Sequence, residues 1–216
     1  MRQRPYNEHM NILSPKFSGP VREGGALDAE HTEGLRLTRL NAAKAAYGGA
    51  EIAECIFDNC DFSDADFRGA DVSDAIFENC NLSGTKFTKA CFRRVRFVGC
   101  KGVGADFSEG ALRDASFKDC NLSYANFNAQ KFNALSLSEC NLRGADIAMV
   151  QMKNVSVEKC CFARVNFFRT PLKGLDLCDS DISGIEISES LSELKGAKIG
   201  LLQSAAFLRA LGIDVE

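Results

Sequence analysis

In Cys60-Asp61-Phe62-Ser63-Asp64-Ala65-Asp66-Phe67-Arg68-Gly69-Ala70-Asp71-Val72 one five-residue unit keeps returning: a small residue, Asp, a large apolar residue, then two polar or flexible ones. Followed outward, the phase set by Phe62 and Phe67 runs in steps of five from Ile52 to Ile187. Of its 28 positions, 27 hold Ile, Val, Leu, Met or Phe, and the exception is Gly102. Thirteen of the sixteen Phe lie in this phase. A period of five is neither the 3.6 of a helix nor the 2 of a strand. A chain that turns a corner after each unit closes a square coil in four units. Each large residue then points inward together with the small residue two places before it, as at Ala50, Cys60, Ala65, Ala70, Cys80, Ala105, Ala115 and Ala125.

Twenty residues per coil is supported independently by the cysteines. Cys60, Cys80, Cys100, Cys120, Cys140 and Cys160 recur at that interval, and Ser180 continues the series. Phe57, Phe77, Phe97 and Phe117 fall on one wall, and Phe67, Phe87, Phe107 and Phe127 on the opposite one. Coils stacked as parallel strands lie ~4.8 Å apart. Gly102 removes one core side chain, so a small void or bulge is expected there.

The units Ala65 to Gly69, Asn81 to Gly84 and Ala105 to Ser108 resemble the pentapeptide-repeat family. The resemblance covers most of the chain and implies a right-handed quadrilateral parallel β-helix, an all-β solenoid. Through Tyr47, Ala42 and Leu37 the phase persists weakly toward Leu35. Residues 35–189 are therefore expected to form about eight 20-residue coils with a short C-terminal α-helix behind them. Residues 1–34 carry Pro5, Pro15, Pro20, Gly19, Gly24 and Gly25 without the phase, and read as an irregular arm or a cap on the first coil. Residues 190–216 read as a capping and dimerisation segment with a helix over about 201–211, ended by Gly212. Its Leu201, Leu202, Ala205, Phe207, Leu208 and Leu211 spread around nearly the whole helix, which predicts burial on two sides: against the last coil and in a homodimer. A terminal helix of this kind also resembles the dimerising C-terminus of the Qnr and MfpA members of the family.

Composition narrows the function. The chain has 216 residues, of which 45% are apolar and 25% charged, and a formal charge of −3. No apolar run approaches the ~20 residues of a membrane span, and no secretory leader is evident, so a reducing cytoplasm is expected. His9 and His31 are the two histidines, both before the repeat. With no nucleophile–base set, phosphate loop or metal-spaced Cys/His group, neither an enzyme nor a metal or cofactor site is expected. A straight column of thiols cannot surround a tetrahedral ion. Cys91, Cys161 and Cys178 fall off the inward positions and are expected to be more exposed.

Local charge says more than net charge. Arg93, Arg113, Asn133, Lys153 and Lys173 follow the centre residue on one wall at 20-residue steps, giving a basic stripe suited to an anionic partner. Glu51 to Glu78 holds nine acidic residues and one basic, and Asp176 to Glu189 holds five acidic and none basic. Two readings stay open. The resemblance to Qnr and MfpA implies a dimeric, DNA-mimicking modulator of bacterial DNA gyrase of the quinolone-resistance type. The stripe, which interrupts such mimicry, implies a structural or adaptor protein docking another protein or an anionic surface. Direct nucleic-acid binding is not expected from Tyr124 and Phe168 alone.

Overall fold

The computed structural model describes residues 12–210 and Asp214. From Gly34 to Gly184 the residue two places after each centre adopts left-handed backbone, at every step except Asp179, with φ from +49° to +86°. That bend makes the corners. Between corners the chain is extended, so four units close one coil and the next stacks on it in parallel.

The strands are β1 (Arg22–Glu23), β2 (His31–Glu33), β3 (Leu35–Thr38), β4 (Glu51–Ala53), β5 (Ile56–Asp58), β6 (Asp71–Ser73), β7 (Ile76–Glu78), β8 (Cys91–Arg93), β9 (Arg96–Val98), β10 (Ala111–Lys118), β11 (Lys131–Ser138) and β12 (Gln151–Glu158). Wall one stacks β2, β4, β6 and β8, and wall two stacks β1, β3, β5, β7 and β9, all parallel. β10, β11 and β12 each cross both walls in a 20-residue register. Walls three and four are held by single bridges such as Asp61↔Asn81 and Asp66↔Lys86. There the corners close with turn bonds such as Ala65 N–H to the Phe62 carbonyl, 3.0 Å. On these walls most Asp or Asn residues before a centre accept the amide two residues on, as Asp61 does from Ser63 at 2.9 Å and Asn81 from Ser83 at 3.2 Å. Ser63, through its amide and its hydroxyl, holds the Asp61 carboxyl below its ordinary value.

The regular ladder makes about six turns, from His31 to Gln151 on wall one, rather than the eight expected. Pro171 occupies the wall-one position at which Ala111, Lys131 and Gln151 each donate an amide to the preceding coil, and proline has no amide to give. Beyond β12 the register survives as bridges Cys161↔Asp181 and Asn166↔Glu186. At the other end β2 lies inside the segment expected to be irregular, so the coil begins at His31, and β1 covers the wall-two edge of the first coil.

The edge of the last coil is closed by the segment that follows it. Leu172 and Leu177 donate to the carbonyls of Glu193 and Lys198, both at 2.8 Å. Glu193, buried in the middle of a short 3-10 turn (Ser192–Leu194), accepts from the Arg169 amide at 3.0 Å and the Ser188 hydroxyl at 2.6 Å. Burial opposes its charge, but these donors prevail and hold its carboxyl below the ordinary value.

The core consists of columns. Phe57, Phe77, Phe97 and Phe117 stack at 4.7, 5.0 and 4.4 Å between centroids. Tyr47, Phe67, Phe87, Phe107 and Phe127 stack at 4.8, 5.4, 4.9 and 5.0 Å. The columns meet edge to face, as Phe107 and Phe117 do at 5.9 Å. Gly102 makes neither void nor bulge: its amide keeps register with the Asn121 carbonyl at 2.7 Å, and a Cβ there would stand 3.0 Å from Leu122 Cδ2. Leu122, on the next coil, takes the space. Gly110 is obligatory, because a Cβ would come within 2.1 Å of the Ala90 carbonyl oxygen.

The thiol column lies where the core turns from wall two to wall three. From Cys60 to Cys140 each thiol donates to a carbonyl one coil back, as Cys80 does to Phe57 at 3.4 Å and Cys140 to Phe117 at 3.4 Å, whereas Cys160 donates to the Glu158 carbonyl of its own coil at 3.3 Å. Thr85, Gln130 and Thr170 occupy equivalent inward positions and make the same kind of bond, to Phe62, Phe107 and Ile147. The neighbouring thiol of the coil before, reinforced by burial, pushes Cys120 and Cys140 up to about 12. All ten cysteines are unpaired; Cys91 and Cys178 are exposed and Cys161 is half-buried.

Phe107→Ala should cost ~3–5 kcal/mol in urea unfolding, since its ring touches neighbours within and between coils. Gly102→Leu, although it completes the repeat, should lower stability by ~1–3 kcal/mol through overpacking against Leu122. Stabilisation by that change would show that the space is not filled. An aromatic disulfide reagent at pH 8 should titrate about three thiols in the native protein and all ten in denaturant, the buried ones being screened by packing. Rapid reaction of six or more would contradict the inward thiol column.

Candidate interaction surfaces

Wall one positions the sequence-identified cations. On an extended strand the residues flanking an inward centre point outward, so Phe92 and Leu112 turn Arg93 and Arg113 to solvent. Arg93 pairs in register with Arg113, Arg113 with Asn133, and Asn133 with Lys153. Arg93, Arg113, Lys153 and Lys173 are exposed, and among the described residues none has an acidic group within ion-pair distance. Lys173 lies past the ladder, where its stem leans on Gly196: a Cβ there would be 3.1 Å from Lys173 Cγ. Lys131, exposed on the same wall, joins this field.

Arg94 behaves differently from its neighbour. Its guanidinium forms a forked pair with the Asp74 carboxylate of the preceding coil, and both side chains are largely buried. Burial works against the Asp74 charge, but Arg94 and the Lys16 amide outweigh it and hold the carboxyl below its ordinary value. Arg94 is thus structural, whereas Arg93 is free to meet a partner.

The wall-two column is mixed. Asp58 and Glu78 stack in register, but Val98, Lys118 and Ser138 follow before Glu158. Lys159 sits near Glu139 and Glu158, at 3.9 and 3.5 Å. Negative charge therefore does not run unbroken along this wall.

At the C-terminal end, α1 (Leu201–Ala210) is clamped by one side chain. Gln203 Oε1 accepts from the Gly200 amide at 2.6 Å, as in a capping box, while its Nε2 donates to the carbonyls of Leu177 and Ser180 at 3.1 and 2.6 Å. That bond turns Gln203 and, one turn on, Phe207 toward the solenoid, where Phe207 packs against the core. Of the six residues singled out for a dimer face, Leu201 and Leu202 are 87% and 92% exposed and Leu208 is partly exposed. Ala205 is half-buried, Phe207 faces inward, and Leu211 lies outside the described residues, as does Gly212. The helix and the last coil enclose an open cavity of about 390 Å³ lined by Ile182, Ile185, Leu202 and Phe207 among others.

Among the described residues no cluster of three or more His, Cys, Asp or Glu could hold a metal ion, and no helix is long and apolar enough to cross a membrane. Sequence reasoning missed the engagement of the N-terminal arm. Lys16 and Ser18 donate their amides to Asp74 and Glu54, 58 and 36 residues away, and no local signal marks such a pairing.

No curated protein matches the chain. Among solved structures, QnrB1, a plasmid-mediated fluoroquinolone resistance protein, is 24% identical over 87% of this chain and 91% of its own, with a TM-score of 0.45. HetL, a pentapeptide repeat protein involved in heterocyst differentiation regulation from the cyanobacterium Nostoc sp. strain PCC 7120, is 20% identical over 83% and 90%, with a TM-score of 0.48. A pentapeptide repeat protein from the Arabidopsis thaliana thylakoid lumen is 20% identical over 59% and 71%, with a TM-score of 0.30. The family model of the pentapeptide repeat region matches residues 50–127 and 70–147. With that match lying on coils built from one five-residue unit, residues 50–147 of the chain belong to the pentapeptide-repeat family.

Proposed function

We propose that the protein is a non-catalytic rod that docks the acidic face of a macromolecular partner, a protein, through wall one. The carrying observation is the register of Arg93, Arg113 and Lys153, exposed cations in line on one wall with Asn133 between the last two, none of them in an ion pair among the described residues. Like charges at coil spacing repel, and an acidic partner relieves that repulsion while the flat ladder holds the charges in line. All ten cysteines are free, which fits a reducing compartment such as the cytoplasm.

A second reading is a DNA-mimicking modulator of bacterial gyrase, dimeric through α1. The observation favouring it is the outward face of Leu201, Leu202 and Leu208, an apolar surface suited to a second copy. Against it stands the broken column Asp58, Glu78, Val98, Lys118, because mimicry of duplex DNA requires continuous negative potential.

Two experiments separate these readings. The chain should bind immobilised polyglutamate at low salt and release as salt rises. The quadruple change Arg93→Glu, Arg113→Glu, Lys153→Glu and Lys173→Glu should abolish retention, whereas Arg143→Glu with Arg164→Glu, on another wall, should not. Equal loss from both sets would refute a dedicated wall. Gyrase supercoiling measured with and without a quinolone should be unaffected; inhibition or drug protection at micromolar protein would put the second reading first. In light scattering Leu201→Glu with Leu202→Glu should halve a dimeric mass, and an unchanged mass would remove α1 as the interface.

A further inference from the structure

The corner joining walls one and two is occupied by the chain's own N-terminal arm. Ser18 donates its amide and hydroxyl to Glu54 at 2.6 and 2.8 Å. Lys16 donates its amide to Asp74 at 2.8 Å, Ser14 Oγ accepts from Arg96, and Leu13 donates its amide to Asp114 at 3.3 Å. Glu54, Asp74 and Asp114 are corner residues of successive coils, with Arg94 completing the series. From Ser18 to Leu13 the arm climbs three coils, ~14 Å at ~4.8 Å each, against ~16 Å for five extended residues. It therefore runs nearly straight along the rod axis, across the strands.

The sequence of the arm suits this path. Pro15, which has no amide, falls between donors, and Pro15 and Pro20 restrain the backbone to extended shapes. Ile12, Pro15 and Phe17 are half-buried while Leu13, Lys16 and Ser18 are exposed. Beside the corner, Ile56 points outward by its register, yet it is only 8% exposed and does not join the hydrophobic core.

We propose that this corner is a binding groove for an extended polypeptide, which residues 12–18 fill in cis and which a partner's extended segment enters by displacing them. Recognition is by backbone amides meeting carboxylates in line along the corner, Glu54 and Asp74 one coil apart and Asp114 two coils further on. The segment it fits is therefore neutral or basic, carries proline only between donor positions, and presents an apolar side chain toward Ile56. Acidic segments are refused by Glu54, Asp74 and Asp114. The inference is separable from the docking role of wall one, because among the described residues Arg93, Arg113, Lys153 and Lys173 make no hydrogen bond or ion pair to Glu54, Asp74 or Asp114.

The test uses the full chain with Lys16→Pro and Ser18→Pro, which remove two arm amides and leave the solenoid core untouched. A fluorescent peptide of residues 12–20 is titrated by anisotropy into this variant and into the native chain. A tethered segment competes at an effective concentration of roughly millimolar, so the peptide should bind the variant at least tenfold more tightly than the native protein. Adding Glu54→Gln and Asp114→Asn to the variant, with circular dichroism confirming an intact fold, should weaken the peptide at least fivefold. No binding to the variant up to about 1 mM, equal binding to variant and native chain, or binding indifferent to the two carboxylates would each overturn the groove.

Discussion

A left-handed residue at every fifth position is the constraint on which the whole molecule depends. It costs ~1–2 kcal/mol at each residue other than glycine, and the chain accepts it at Arg39, Tyr124, Ala129 and Met149 as well as at glycine and Asx positions. Such residues hold that conformation because the neighbouring coils over-determine it: from Gly34 to Glu109 each corner amide donates to a carbonyl of the next coil, and Tyr124 N–H does the same to the Arg143 carbonyl at 3.0 Å. Without stacking the corners would relax, and without corners the large residues could not all face one axis. Local strain and long-range packing are two halves of one arrangement.

That arrangement separates fold from surface. Inward positions are filled by stacked rings, small residues and thiols whose polar groups bond to backbone carbonyls one coil away. Outward positions at a wall centre carry no packing duty, so charge placed there repeats in line along the rod. Where an outward charge does have structural work, as at Arg94 with Asp74, it is buried and paired. Arg93, one residue earlier, is exposed and in no ion pair among the described residues. The contrast between adjacent arginines distinguishes a scaffold charge from a recognition charge better than net charge does.

The centre phase, the thiol column and the two aromatic columns were all legible in the sequence, because a period-five pattern can bury its large residues in few ways. Three features were not. Gly102 reads as a defect, but the Leu122 side chain on the next coil fills it, and side-chain direction leaves no trace in composition. Helix α1 is apolar all round, so its inward face could not be chosen until Gln203 was seen to bond to Leu177 and Ser180, which turns Phe207 in and Leu202 out. The early end of the ladder at Pro171 was readable in principle, since a proline at a donor position stops pairing. The docking of the arm joins residues up to 101 positions apart through backbone amides, which carry no sequence signal.

The central claim is that outward residues twenty positions apart stand in a straight line one coil apart. Spin-label distances test it directly, in a background with Cys91, Cys161 and Cys178 changed to Ser, from a label at Glu33→Cys to labels at Arg113→Cys, Lys153→Cys or Lys173→Cys. The account predicts backbone separations of ~19, ~29 and ~34 Å, rising by ~4.8 Å per twenty residues. Distances that plateau or fall as the sequence interval grows would contradict the stacked coil and the surfaces built on it.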